Sequence, residues 1–234
     1  MRGDDVPGRW RWRRGRALVT LARALRAWFR PTVWGLERVP QDRPVVYVGK
    51  HPRGWLYLET VLMGWLTFGD GRRPPFRTLE ARGTLPQRAP GLGWMRRNVG
   101  AIPATSAAAC AALARGESVL VFPGGAREAR GPTDRVRWGG RRGFARIAAE
   151  AGAPIVPFAM AGADRQHPVR VPLGRRLSLW LPPVPLPVRL ELRFGAPIPP
   201  PPAGDRAAIA AAAARAAHEA QALLASRRSA RRPR

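Results

Sequence analysis

An α/β fold is predicted for this chain: a single domain with a mostly parallel mixed sheet flanked by helices, preceded by an amphipathic helix. Three observations carry the prediction. From Pro44 onward, short apolar runs of strand length alternate with stretches of helical periodicity, the pattern of βα units. Two of the runs, Val45–Gly49 and Ser118–Phe122, pass directly into turn sequences bearing chemical groups, as strand ends do in open α/β sheets. The 234 residues are 45% apolar, enough for one packed core and too many for a disordered chain.

Taken in order, residues 1–15 read as a loose charged arm. Gly15–Arg30 places Leu18, Leu21, Ala22, Leu25, Trp28 and Phe29 on one face, with Arg16, Arg23, Arg26 and Arg30 mostly on the other, and Pro31 ends it. Such a basic helix with aromatic residues suits a membrane interface, and equally a surface helix packed on a core. Val45–Gly49 is expected to be a buried strand, Trp55–Phe68 a helix, Phe76–Ala81 a strand and Gly91–Asn98 a short helix. Val99–Pro103 (strand), Ser106–Arg115 (helix), Ser118–Phe122 (strand), Arg141–Ala151 (helix) and Pro154–Ala159 (strand) follow. Leu177–Leu181 and Val188–Phe194 are further strands, and Asp205 caps an alanine-rich helix over Asp205–Arg228. Pro182–Pro187 and Pro197–Pro202 are rigid connectors. The organisation is a basic arm and helix over 1–32, a folded domain over 33–225 and a basic tail over 226–234.

Charge is the outlying feature. There are 41 Lys+Arg against 15 Asp+Glu, a net +26, and Lys50 is the only lysine. Residues 1–30 hold +7 and residues 226–234 hold +5, leaving +14 for the middle. A nucleic acid or an anionic membrane is the natural partner for such a balance. Arg, Ala, Gly and Pro share GC-rich codons, however, so the magnitude alone proves little. The single Cys110 excludes an internal disulfide and a multi-cysteine zinc site, and in its alanine-rich setting it is expected to be buried. No run of 18 apolar residues exists, and the arginines after Arg13-Arg14 break up a twin-arginine signal. The chain is therefore expected to be unprocessed and cytoplasmic, peripheral on the inner face of the cell membrane.

Two places carry chemistry. Lys50-His51-Pro52-Arg53-Gly54 puts a histidine at the end of a buried strand, where a neutral imidazole can act as a general base; a simple strand-capping histidine is the alternative. Phe122-Pro123-Gly124-Gly125-Ala126-Arg127-Glu128 offers two glycines whose N–H groups are open to an anion, with Arg127 as a fixed cation. Phosphate-loop, dinucleotide and serine-hydrolase signatures are all missing.

The order of these segments, with Gly100-Ala-Ile-Pro103 between them and Ala153-Pro-Ile-Val-Pro157 after them, resembles the phospholipid/glycerol acyltransferase superfamily, which includes 1-acylglycerol-3-phosphate acyltransferases. Arg141-Arg-Gly-Phe-Ala-Arg146-Ile-Ala148, with Gly152 and Val156-Pro157, is similar to its monoacylglycerol/diacylglycerol acyltransferase-like branch. Gly35-Leu-Glu-Arg-Val-Pro40 and Leu192-Arg-Phe-Gly-Ala-Pro-Ile198 resemble the flanks, so the likeness runs over roughly 33–225. The superfamily's His-x-x-x-x-Asp motif is incomplete here, since Leu56 stands where its Asp would orient the histidine. Glu59 is the candidate replacement, one helical turn further on. The lysophosphatidate enzymes' Glu-Gly-Thr-Arg is Gly124-Gly125-Ala126-Arg127 here, and Thr105 takes the place of a second phosphate-binding arginine.

The resemblance implies acyl transfer from acyl-CoA or an acyl carrier protein, as co-substrate and without a further cofactor, to a lipid hydroxyl. The departures favour a neutral glyceride or long-chain alcohol over lysophosphatidate. His51 is then the base, with Glu59 orienting it. Arg53, Gly124, Gly125, Arg127 and Glu128 bind substrate, Glu128 suiting a hydroxyl better than a phosphate. The competing expectations are a basic nucleic-acid-binding protein, resting on Arg9-Trp10-Arg11-Trp12-Arg13-Arg14, and an inactive lipid-binding relative.

Overall fold

Strands and helices alternate along the chain, as its apolar runs require. The structure, a computed structural model, describes residues 16–52, 58–68, 73–81, 100–131, 134–172 and 178–226. Helix α1 (Arg16–Phe29) leads into β1 (Thr32–Trp34), β2 (Val46–Gly49), α2 (Leu58–Phe68), β3 (Phe76–Glu80) and β4 (Ala101–Pro103). Then come α3 (Ser106–Ala114), β5 (Ser118–Val121), the short α4 (Gly125–Ala129), α5 (Gly143–Ala151) and β6 (Ile155–Ala161). The hairpin strands β7 (Val169–Pro172) and β8 (Ser178–Leu181), then β9 (Glu191–Phe194) and α6 (Arg206–Ala225), complete the order.

Seven strands form one sheet in the order β1-β9-β6-β2-β5-β3-β4. Five of them, from β6 to β4, are parallel neighbours; β9 runs antiparallel to β6, and β1 is parallel to β9. This is the mostly parallel mixed sheet expected. Alternation within strands builds a core on each face. Val45, just before β2, and Tyr47 on it pack with α1 and α2 residues, including Phe29, Val61 and Met63. Val46 and Val48 point the other way, among Ala109, Ala148, Ala212 and Ala216 of α3, α5 and α6. Alanine on three helices lets their backbones lie close to the sheet, while the opposite face is filled by larger groups. There Tyr47 meets Phe76 and Phe194 edge-on or tilted, with centroids 6.0 and 6.1 Å apart; each such pair adds about 0.5–1.5 kcal/mol beyond burial.

Helix ends follow from local chemistry. Asp205 Oδ1 accepts the Ala207 and Ala208 N–H groups at 2.9 Å each, the cap expected of it. Thr105 caps α3, its hydroxyl accepting the Ala108 N–H at 3.2 Å. Gly152 ends α5 in the left-handed conformation, with φ 61°. At the far end of α6, buried Arg193 donates to the Leu223 carbonyl at 2.7 Å and to the Ser226 carbonyl, while its fork holds Glu191 at 2.6 Å.

Several boundaries differ from expectation. The strand expected from Val188 starts at Glu191, because Val188 N–H turns back to the Leu186 carbonyl at 2.8 Å. The edge strands β1 and β7 carry too few alternating residues to be read from periodicity. Residues 53–57 and the expected helix Gly91–Asn98 lie outside the described residues. Cys110 is half-buried rather than buried: its thiol lies between α3 and α5, 3.5 Å from Glu150 Oε2, a contact that draws it toward a polar rim. The amphipathic α1 buries Ala22, Leu25 and Phe29 on the core and leaves Arg23, Arg26 and Arg30 exposed. Among the described residues, no helix is long and apolar enough to cross a membrane.

Candidate active site

The C-terminal ends of β6, β2 and β5, three adjacent parallel strands at the centre of the sheet, converge on one point. Their peptide dipoles and chain exits make this the open end of the fold, where ligands bind in parallel α/β sheets. Gly49 closes β2; a side chain there would meet the Phe158 ring of β6 at 2.6 Å, so only glycine lets the strands lie this close. Lys50 and His51 come next.

The half-buried His51 ring is held from two sides. Its Nδ1 lies 2.7 Å from the Pro52 carbonyl oxygen, which can only accept, so Nδ1 carries the proton. Nε2 keeps its lone pair and has no hydrogen-bond partner among the described residues. The Phe122 ring packs against the imidazole with centroids 4.9 Å apart, and Phe158 backs Phe122 at 5.9 Å. Burial holds the His51 pKa below its ordinary value; the Pro52 carbonyl opposes this, the Lys50 charge adds to it, and Asp164 opposes it. The ring is thus kept neutral, as a base requires.

Glu128 fixes the loop that carries His51. The residue is buried, at 1% exposure. Oε2 accepts the His51 backbone N–H at 2.9 Å and Oε1 accepts the Arg137 backbone N–H at 2.8 Å. Burial pushes its carboxyl pKa up, while those two amides and Lys50 hold it down. Both oxygens thus face backbone amides, a positioning role that the expectation of a hydroxyl contact did not include.

The two glycines before it serve different ends. A Cβ on Gly124 would lie 2.3 Å from Glu128 Oε2, so the position is reserved for hydrogen. Gly125 has φ +55° with open space around it, so its need is conformational. Its N–H donates to the Phe122 carbonyl at 3.0 Å and starts α4, so that amide is not open to an anion as expected. Arg127 is exposed on α4. Arg141, two residues before α5, clamps the turn, donating through Nη1 to the Pro123 and Gly124 carbonyls at 2.5 and 2.9 Å. Arg53 and the Glu59 side chain lie outside the described residues.

Sequence reasoning missed a buried ion pair. Lys50 Nζ lies 3.1 Å from Asp164 Oδ2, both side chains nearly enclosed, and it also donates to the His51 carbonyl at 3.3 Å. The available signal was that the one lysine among 41 cations stands next to the histidine. A compact ammonium fits where the five donors of a guanidinium would not be satisfied. Asp164, 114 residues away, gives no local sign of its partner.

The candidate site is thus a neutral, backbone-oriented imidazole on the open end of a parallel sheet. The Acyltransferase family matches residues 30–161, more than half of the chain and all of this site but Asp164, and the chain belongs to that family. It is 29% identical over 188 residues to the Gallus gallus "DGAT1/2-independent enzyme synthesizing storage lipids", covering 74% of this chain and 54% of that one. It is 35% identical over 140 residues to "Phytyl ester synthase 1, chloroplastic" of Arabidopsis thaliana, covering 56% of this chain and 19% of the synthase. The chain thus spans about half the length of the storage-lipid enzymes it matches. Among solved structures, the 1-acyl-sn-glycerophosphate acyltransferase PlsC of Thermotoga maritima superposes with a TM-score of 0.59 at 19% identity, covering 90% of this chain and 81% of that one. That likeness speaks for the fold.

Proposed function

We propose that this protein transfers a fatty acyl group from a thioester, acyl-CoA or an acyl carrier protein, to the hydroxyl of a neutral lipid such as a glyceride or a long-chain alcohol. The observation that carries the reading is the 2.7 Å contact of His51 Nδ1 with the Pro52 carbonyl oxygen, which puts the proton on Nδ1 and leaves Nε2 to take one. The acceptor O–H gives its proton to Nε2 as the oxygen attacks the thioester carbonyl. Collapse of the tetrahedral intermediate breaks the carbon–sulfur bond. The thiol, with a pKa of about 8.5 in its free state, leaves as thiolate and takes the proton back from the imidazolium.

Two observations favour a neutral acceptor over lysophosphatidate. Thr105 spends its hydroxyl on capping α3, and the resemblance to the lysophosphatidate enzymes gives it the place of a second phosphate-binding arginine. The relatives are named for storage lipids and phytyl esters. A lipid acceptor places the enzyme at a membrane surface, and we propose a peripheral position on its cytoplasmic side.

The test is the purified full chain with labelled acyl-CoA or acyl carrier protein and a panel of diacylglycerol, long-chain alcohol and lysophosphatidate, with the products separated by chromatography. Ester formation on the neutral acceptors, lost in His51→Ala with the fold retained, is the expected result. Equal turnover by His51→Ala would overturn it, and preference for lysophosphatidate would overturn the acceptor class.

A further inference from the structure

The large apolar side chains that stand exposed among the described residues are not scattered. They are Trp28 at 47%, Val169 at 52%, Val184 at 67% and Leu186 at 39%. Trp28 lies in the last turn of α1, and its indole N–H donates to the Pro185 carbonyl at 3.0 Å, joining the helix to the segment that holds Val184 and Leu186. Leu186 N–H in turn donates to the Gln166 carbonyl at 3.0 Å, and Val169 of β7 is paired with Leu181 of β8, just before that segment. Three parts of the sequence, around residues 28, 169 and 184–186, thus share one corner.

The surroundings of this corner are of one sign. Residues 16–36 contain four arginines, the described residues 165–172 and 178–190 contain Arg165, Arg170 and Arg189, and none of these stretches contains an acid. Between α1 and the proline segment lies a hollow of about 350 Å³, bordered by Trp28, Arg30, Pro187 and Arg189. Two arginines and an indole around a hollow of headgroup size match a lipid phosphate and the glycerol beneath it.

The corner also lies at the catalytic end of the sheet. Strand β9 is antiparallel to β6, so Pro182–Leu190 enters β9 at the end where β6 leaves the sheet. Strand β1 is parallel to β9, which puts the end of α1 there too. Arg170 of β7 donates to the Arg130 carbonyl at 2.7 Å, tying the hairpin to the loop after α4.

We propose that Trp28, Val169, Val184 and Leu186, rimmed by Arg26, Arg30 and Arg189, form a docking face for an anionic lipid bilayer. Its occupant is the bilayer surface: the proline segment enters the headgroup layer and the arginines take the phosphates. The buried face of α1 is not the membrane contact, since Ala22, Leu25 and Phe29 are spent on the core. Docking at this corner brings the mouth of the His51 site to the lipid. The proposal rests on the acyltransferase reading only for that last step, and the binding itself is measured without turnover.

The experiment uses the full chain and vesicles of phosphatidylcholine, alone or with 30% phosphatidylglycerol. In a Cys110→Ala background, Val184→Cys carries an environment-sensitive fluorophore, and Arg146→Cys on α5 carries the control label. The label at 184 should shift to the blue with the anionic vesicles while the label at 146 does not. Val184→Asp with Leu186→Asp should weaken vesicle co-sedimentation by roughly tenfold or more, since both residues leave the headgroup layer. The doubly substituted chain should keep its thermal transition and its turnover on a water-dispersed short-chain donor and alcohol. Unchanged sedimentation of that variant would assign membrane binding to the basic termini and overturn the proposal. So would the absence of a shift at 184, or equal shifts at both labels. A chain that docks but transfers no acyl group would instead overturn the enzymatic reading alone.

Discussion

The carboxylate of Glu128 holds the backbone of His51 across 77 residues of chain, Oε2 accepting the His51 N–H at 2.9 Å. The residue therefore acts through another, by setting where His51, the proposed base, stands. Glu128→Ala leaves the His51 and Arg137 amides without this acceptor in a partly buried place, each at a cost of about 1–2 kcal/mol, the lower part of the range for a buried group. Urea unfolding should show a loss of about 2–4 kcal/mol for the pair. Glu128→Gln keeps one carbonyl acceptor and should lose less. Its kcat should fall while KM for the acceptor stays near that of the parent; a rise in KM alone would mark Glu128 as an acceptor contact.

The pH profile should carry the signature of a depressed imidazole. An ordinary histidine titrates near about 6.5, and burial sets His51 below that. The acid limb of kcat/KM should then have its midpoint below pH 6.5 in free enzyme, with activity rising as pH rises through it. The stability sign agrees: below the unfolded value, the unfolded chain binds more protons than the folded one, so this group's contribution falls with falling pH. An acid limb centred above 6.5 would contradict the burial argument.

The Lys50–Asp164 pair should behave as a unit. Lys50→Met leaves the Asp164 carboxylate in a nearly closed site and should cost about 3 kcal/mol or more. Lys50→Met with Asp164→Leu should recover most of that loss, giving a large coupling energy in a double-mutant cycle read by urea unfolding. Lys50→Arg should also be destabilising, despite 40 arginines elsewhere, because the guanidinium has donors to satisfy that the ammonium lacks.

The adjacent glycines should part ways under substitution. Gly124→Ala drives a methyl into Glu128 and should reduce both stability, by about 1–3 kcal/mol, and turnover. Gly125→Ala strains only the backbone, at about 1–2 kcal/mol, and Gly125→Asn should be tolerated better still. Thermal melts with parallel turnover assays separate the two; equal loss of activity in both alanine variants would contradict the assignment.

Much of this was readable before the fold was known. The alternation from Val45 to Ala159 predicted the parallel sheet, because strands covered on both faces must be continuously apolar. His51 and Gly124 were legible because chemistry at strand ends leaves a local pattern. The Glu128 role was not: a carboxylate reaching back to a backbone amide depends on which strand ends are neighbours, and periodicity carries no such information. The Lys50–Asp164 pair failed to be read for the same reason. Strand β1 went unseen because three residues beside a proline show no alternation. Its place in the sheet comes from parallel pairing with β9, Val33 opposite Leu192.

The Pro52 carbonyl has one further consequence. Where an aspartate orients a histidine, acid can switch the partner off and a single substitution can delete it. A peptide oxygen does not titrate in water, and every residue at position 52 supplies one. The acceptor is therefore indifferent to acid and present whatever the side chain, and the contact is exposed instead to anything that rotates the carbonyl. Proline's fixed φ removes one of the two rotations that place that oxygen, so the orientation of His51 rests on backbone stiffness rather than on an ionisable group.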